Sequence, residues 1–117
     1  MGDVEPIAFP GGRGGRSLKP PLVTFDRREL DRILDLYGRK VAAGEWRDYA
    51  ISFLKDRAVF SIFRRAAEMP LYRIEKNLAL ARRQGAYAVV AASGHVLKRG
   101  HDLARVLRAI DPLRVAS

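Results

Sequence analysis

The chain has 117 residues, 48% of them hydrophobic, which is enough for one domain with its own buried core. It has no cysteine, which excludes disulfides, thiolate metal sites and cysteine nucleophiles together and fits a reducing, cytoplasmic setting. Lys and Arg number 22 against 13 Asp and Glu, and the resulting charge of +9 favours phosphate polymers or other polyanions as partners.

Residues 1 to 22 hold five of the ten glycines and four of the six prolines, around the stretch GGRGGR. Such a segment buries too little apolar area to offset its chain entropy, so a disordered leader is expected, followed by a single domain over 23–117. Asp3 and Glu5 precede any basic residue, unlike the order in an export signal. No window approaches the roughly 18 consecutive apolar residues of a spanning helix, so no membrane partner is expected.

From Asp26 the pattern becomes helical. Leu30, Ile33, Leu34, Tyr37 and Val41 recur at helical spacing and predict one apolar face over Arg27 to Ala43. Asp26 and Glu29 have the spacing of a capping box, and Gly44 is a fitting stop. Next, Tyr49, Ile51 and Phe53 alternate with smaller residues, a polar Lys55-Asp56-Arg57 break follows, and Val59, Phe60, Ile62 and Phe63 form a second run. Aromatic and β-branched residues around a short polar break read as a hairpin. Trp46, just before it, is expected to plug the gap between helix and sheet, and Arg47 and Asp48 to form a local ion pair.

The stretch from Leu71 to Lys76 predicts a third strand after Pro70, whereas residues 77–84 read equally as a short helical turn or a loop. AYAVVAASGHVLKR, residues 86–99, is a second hairpin turning at Ser93-Gly94. Asp102 opens a last helix in which Leu103, Val106, Leu107 and Ile110 share a face, ending before Pro112. The expected class is α+β: an antiparallel sheet of about five strands, flanked by an N-terminal and a C-terminal helix.

The blocks EWRDY, FRRAAEMPLYRIEK and LKRGHDL, together and in this order, resemble an uncharacterised family of small basic alphaproteobacterial proteins, a domain of unknown function. The resemblance spans roughly residues 23–111. It implies no activity, cofactor or catalytic residue, and it leaves the leader outside.

The charge is unevenly placed. From Trp46 onward there are 14 Lys or Arg against six Asp or Glu, so nearly all the excess belongs to the second part of the chain. Three doublets fall at strand ends: Arg64-Arg65, Arg82-Arg83 and Lys98-Arg99. With simple antiparallel neighbours, Arg82, Arg83, Lys98 and Arg99 share one edge with Gly100 and His101, where the last helix begins with N–H groups suited to an anion. Arg64 and Arg65 form a secondary patch at the other edge. Against this, Asp102 can occupy those N–H groups as an N-cap, and Glu68, Glu75 and Asp102 can act as counter-ions.

Catalysis has little support. His95 and His101 lie in separate elements with no carboxylate or hydroxyl fixed beside them, and no metal-ligand spacing or phosphate loop is present, so neither enzyme activity nor a cofactor is expected. Arg13 and Arg16 make the leader at most an accessory arm. Two functions remain. The first is a non-enzymatic binding module that docks a polyanion, most plausibly nucleic acid; the second is a protein-interaction or regulatory adaptor, as a homodimer or with another protein, using an open sheet edge or face.

Overall fold

The computed structural model describes residues 21–65 and 69–111. The leader up to residue 20, including Arg13 and Arg16, Glu68 and residues 112–117 lie outside the described residues.

Helix α1 (Arg27–Ala42) begins as its sequence dictates. The Glu29 N–H donates to Asp26 Oδ1 at 2.8 Å, and the Asp26 N–H donates back to Glu29 Oε1 at 2.7 Å. This reciprocal pair satisfies two N–H groups that the helix leaves unpaired and contributes about 1 kcal/mol. At the other end the chain leaves the helix through Gly44, whose φ of +79° suits a residue without a Cβ.

Five strands follow: β1 (Asp48–Phe53), β2 (Ala58–Phe63), β3 (Tyr72–Lys76), β4 (Tyr87–Ala91) and β5 (Val96–Gly100). They form one antiparallel sheet in sequence order, a meander with β1 and β5 at its two edges. The ambiguous stretch after β3 becomes a 3-10 turn, Leu78–Leu80, capped by the Asn77 side chain. Helix α2 (Leu103–Leu107) continues into a 3-10 turn, Arg108–Ile110. The architecture is α+β, with the element order expected from the sequence.

Directly opposed residues of an antiparallel ladder share a face. The register therefore draws one line across the sheet through Ile51, Phe60, Ile74, Val89 and Lys98. Phe60, Ile74 and Val89, the middle of that line, are fully buried against Ile33 and Leu36 of α1 and Leu103 and Val106 of α2. Each such side chain contributes about 1.5–3 kcal/mol on burial. Trp46 joins this core at 3% exposure, its ring between those of Tyr37 and Tyr72. The sheet's other face carries an Arg73–Glu75 ion pair and buried Val59, Ala88 and Val90.

Two expectations need correction. The apolar face of α1 is wider than its contact with the sheet: the buried row is Glu29, Ile33, Leu36 and Lys40, so Leu34 and Val41 remain 38% and 41% exposed. Arg47 does not pair with Asp48 among the described residues; the Asp48 carboxylate instead accepts the Tyr49 N–H at 2.8 Å.

Candidate polyanion-binding site

At one end of the sheet, Lys76, Tyr87 and Gly100 lie abreast where β3 ends, β4 begins and β5 ends. The turn carrying Arg82 and Arg83 closes on this end. Gly85, at φ +102°, packs so tightly on the Gly100 backbone that any Cβ there would overlap it. The sequence placed Arg82, Arg83, Lys98, Arg99, Gly100 and His101 at a common end; the meander sets the Arg82-Arg83 turn, Gly100 and His101 at this end, with Arg99 next to it and Lys98 in the middle of β5 opposite Val89. Arg64 and Arg65 follow β2 at the opposite end, both exposed.

Within that end the residues divide. Lys98, Arg99, Gly100, His101, Asp102, Arg105 and Val106 line one open concavity. Lys98 and Arg105 also line a second, beside Leu97, Arg108 and Ala109. Arg108 in turn reaches a third, between α1 and α2, with Arg32, Asp35, Arg39 and Asp111. Shared side chains thus join three concavities into one path from the β5 edge over α2 to α1. Arg82 and Arg83 sit on the adjoining turn, outside these linings.

Two details differ from the sequence reading. Lys98 opposes Val89 on the helix-covered face while Arg99 opposes Ala88 on the other, so the doublet straddles the sheet edge, as strand alternation requires. The start of α2 offers no anion site, because Asp102 Oδ1 already accepts the N–H groups of Ala104 and Arg105. Arg105 and Arg108 take its place. The sequence held a signal for them: they lie three residues apart, and α2 turns Leu103, Val106, Leu107 and Ile110 into the core.

None of Lys98, Arg99, Arg105 or Arg108 forms an ion pair among the described residues; Glu75 is taken by Arg73, and Asp102 caps α2. The third concavity is more balanced, since Arg39 bonds Asp111 at 3.0 Å and lies 3.5 Å from Asp35. Few aromatic side chains are placed to stack on bases: Phe60 is buried, Tyr87 beside the site is half-buried with its hydroxyl on Glu29, and the exposed Tyr49 and Phe53 stand on β1, four strand spacings or about 19 Å from β5.

One polar cluster beside this site escaped the sequence reading. Glu29, 8% exposed, accepts the Lys76 ammonium at 2.8 Å through Oε1 and the Tyr87 hydroxyl through Oε2. Lys76 Nζ also donates to the Thr24 carbonyl at 2.9 Å. Burial, and then the hydrogen bond to Glu29, push the Tyr87 hydroxyl well above the usual tyrosine range. The three residues clamp the start of α1 to β3 and β4. Nothing local in the sequence links positions 29, 76 and 87; only the fold does.

His95 sits in the β4–β5 turn, its N–H donating to Ser93 Oγ, and His101 is exposed beside α2. No cluster of three or more potential metal-ligating side chains occurs among the described residues. No helix of the described residues is long and apolar enough to cross a membrane.

Fold and site together define a small α+β meander protein with a basic path along one sheet edge. The chain belongs to the family described as "Protein of unknown function (DUF2794)", whose model matches residues 23–107. That span runs from the first core residue, Val23, to Leu107 in α2 and contains Lys98, Arg99 and Arg105. No curated protein and no solved structure matches the chain.

Proposed function

We propose that this protein is a non-enzymatic, cytoplasmic module that binds nucleic acid through its phosphate backbone. The observation that supports this best is the continuous path of Lys98, Arg99, Arg105 and Arg108, cations free of ion pairs among the described residues and shared between neighbouring concavities. Unpaired cations release counterions when they meet phosphates, and this entropy gain drives binding irrespective of sequence. With no aromatic side chain in the linings, the contact is phosphate-directed rather than base-stacking.

The test is direct. Protein purified at low salt carries nucleic acid, seen as an elevated 260/280 nm absorbance ratio. Its affinity for a short duplex or RNA falls linearly on a log–log salt plot with a slope of about −3 to −4 if four cations each neutralise a phosphate. Absence of binding at low salt, or binding indifferent to salt, refutes the reading.

A further inference from the structure

The two edges of the sheet differ in chemistry. β5 is basic, whereas β1 is apolar and open: Tyr49, Ile51 and Phe53 are 41%, 37% and 38% exposed although they lie on the helix-covered face. Beside them runs the flank of α1 that the sheet leaves uncovered, Leu34 and Val41 with Tyr37 between. The Tyr37 ring meets that of Tyr49 edge to face at 5.0 Å, so helix flank and strand form one apolar surface. The opposite flank of α1, with Arg32, Asp35 and Arg39, faces α2.

The backbone of β1 is equally prepared. The Leu54 N–H donates to the Arg57 carbonyl at 2.8 Å, which makes positions 54 and 57 a hydrogen-bonded pair. Such pairs alternate along an antiparallel ladder, so Asp48, Ala50 and Ser52 bond to β2 while Tyr49, Ile51 and Phe53 turn their N–H and C=O groups outward. Asp48 occupies the Tyr49 N–H. The N–H groups of Ile51 and Phe53 have no partner among the described residues.

We propose that β1 is a self-association edge: two copies of this chain pair β1 against β1, antiparallel, about a twofold axis at Ile51. In this register Ile51 faces Ile51 of the second copy and Tyr49 faces its Phe53, so all three apolar side chains find apolar partners; the Ile51 groups pair with each other and the Phe53 N–H with the Tyr49 carbonyl, while the Tyr49 N–H stays with Asp48. Shifting the axis to Ser52 sets Asp48 against Asp56 of the second copy, and shifting it to Ala50 sets Phe53 against Arg47. The Ile51 register also sets Arg47 against Lys55 of the second copy at each end of the strand, a like-charge contact that salt screens, so it is the matching of all three apolar side chains that selects this axis.

Leu34, Val41, Tyr49, Ile51, Phe53 and Leu54 each expose about two-fifths of their surface. At roughly 200 Å² per large side chain this is about 450 Å² per copy. A stable interface buries about 800 Å² per partner, and the paired strand backbones supply much of the remainder. Because each copy carries +9, salt strengthens this association while it weakens polyanion binding. The two phenomena are therefore separable, and the dimer stands or falls without the nucleic-acid reading.

The test is sedimentation of the full chain, free of nucleic acid, between about 1 and 200 µM at low and high salt. Dimer forms with concentration and tightens with salt. Ile51→Lys and Ile51→Glu each remain monomeric, and mixing the two restores the dimer, a result that requires position 51 of the two copies to meet at the axis or diagonally across it. The unmodified chain supplies a second readout: the Ile51 and Phe53 amides exchange hydrogen at least about tenfold more slowly at high protein concentration than at low. A monomer throughout, a dimer whose affinity I51K leaves unchanged, or amide exchange independent of concentration overturns the proposal.

Discussion

Replacing Glu29 by Gln removes one charge from the Glu29–Lys76–Tyr87 cluster while keeping its shape. Lys76, its side chain only 12% exposed, then loses its counter-charge and keeps only neutral acceptors, the amide oxygen at position 29 and the Thr24 carbonyl. Breaking a buried ion pair from one side costs about 3–5 kcal/mol, and the residual exposure of both partners puts this case near 3 kcal/mol. For a domain of this size that lowers Tm by roughly 12–20 °C. Lys76→Met costs less, about 2 kcal/mol, because Glu29 keeps the Asp26 N–H and the Tyr87 hydroxyl as donors. Urea denaturation of both single variants and the double variant gives the coupling, expected at 1 kcal/mol or more, with the double variant less destabilised than the sum. If the two losses add within about 0.5 kcal/mol, the pair does not act as a unit and the clamp is not what holds α1 to β3.

Folding raises the Tyr87 pKa above its unfolded value near 10, so its contribution to stability is complete below that pH and declines as pH rises from there toward the higher folded value; Tyr87→Phe flattens the alkaline limb of a stability-versus-pH curve, and an unchanged limb refutes the assignment. Gly85→Ala combines a positive φ with a Cβ driven into the Gly100 backbone, and thermal melts should show a loss of 3 kcal/mol or more, roughly 12 °C in Tm. Removing Lys98 and Arg105 together makes the salt slope of nucleic-acid binding shallower by about 2, measured by anisotropy titration, whereas removing Arg82 and Arg83, outside the linings, changes it by less.

The amino-acid order alone determined the local structure. Asp26 with Glu29, the period-two runs on either side of Lys55-Asp56-Arg57, and Ser93-Gly94 each act within a few residues, and each produced the expected cap, strand or turn. Because short connections join the strands, sequence order also set spatial order, which put the Arg82-Arg83 turn and the end of β5 at one end of the sheet and Arg64-Arg65 at the other, with Lys98 in the middle of β5.

Tertiary structure decided what depends on which surface covers which. It chose Leu36 over Leu34 for the core, since a helix resting on a sheet buries one row of side chains and leaves the next in solvent. It joined Glu29, Lys76 and Tyr87 across three elements, replaced the capped helix start with Arg105 and Arg108, and left β1 open beside an apolar helix flank. Caps, strands and turns are settled by neighbours along the chain. Burial, ion pairing and exposed edges are settled by neighbours in space, which a single sequence does not specify.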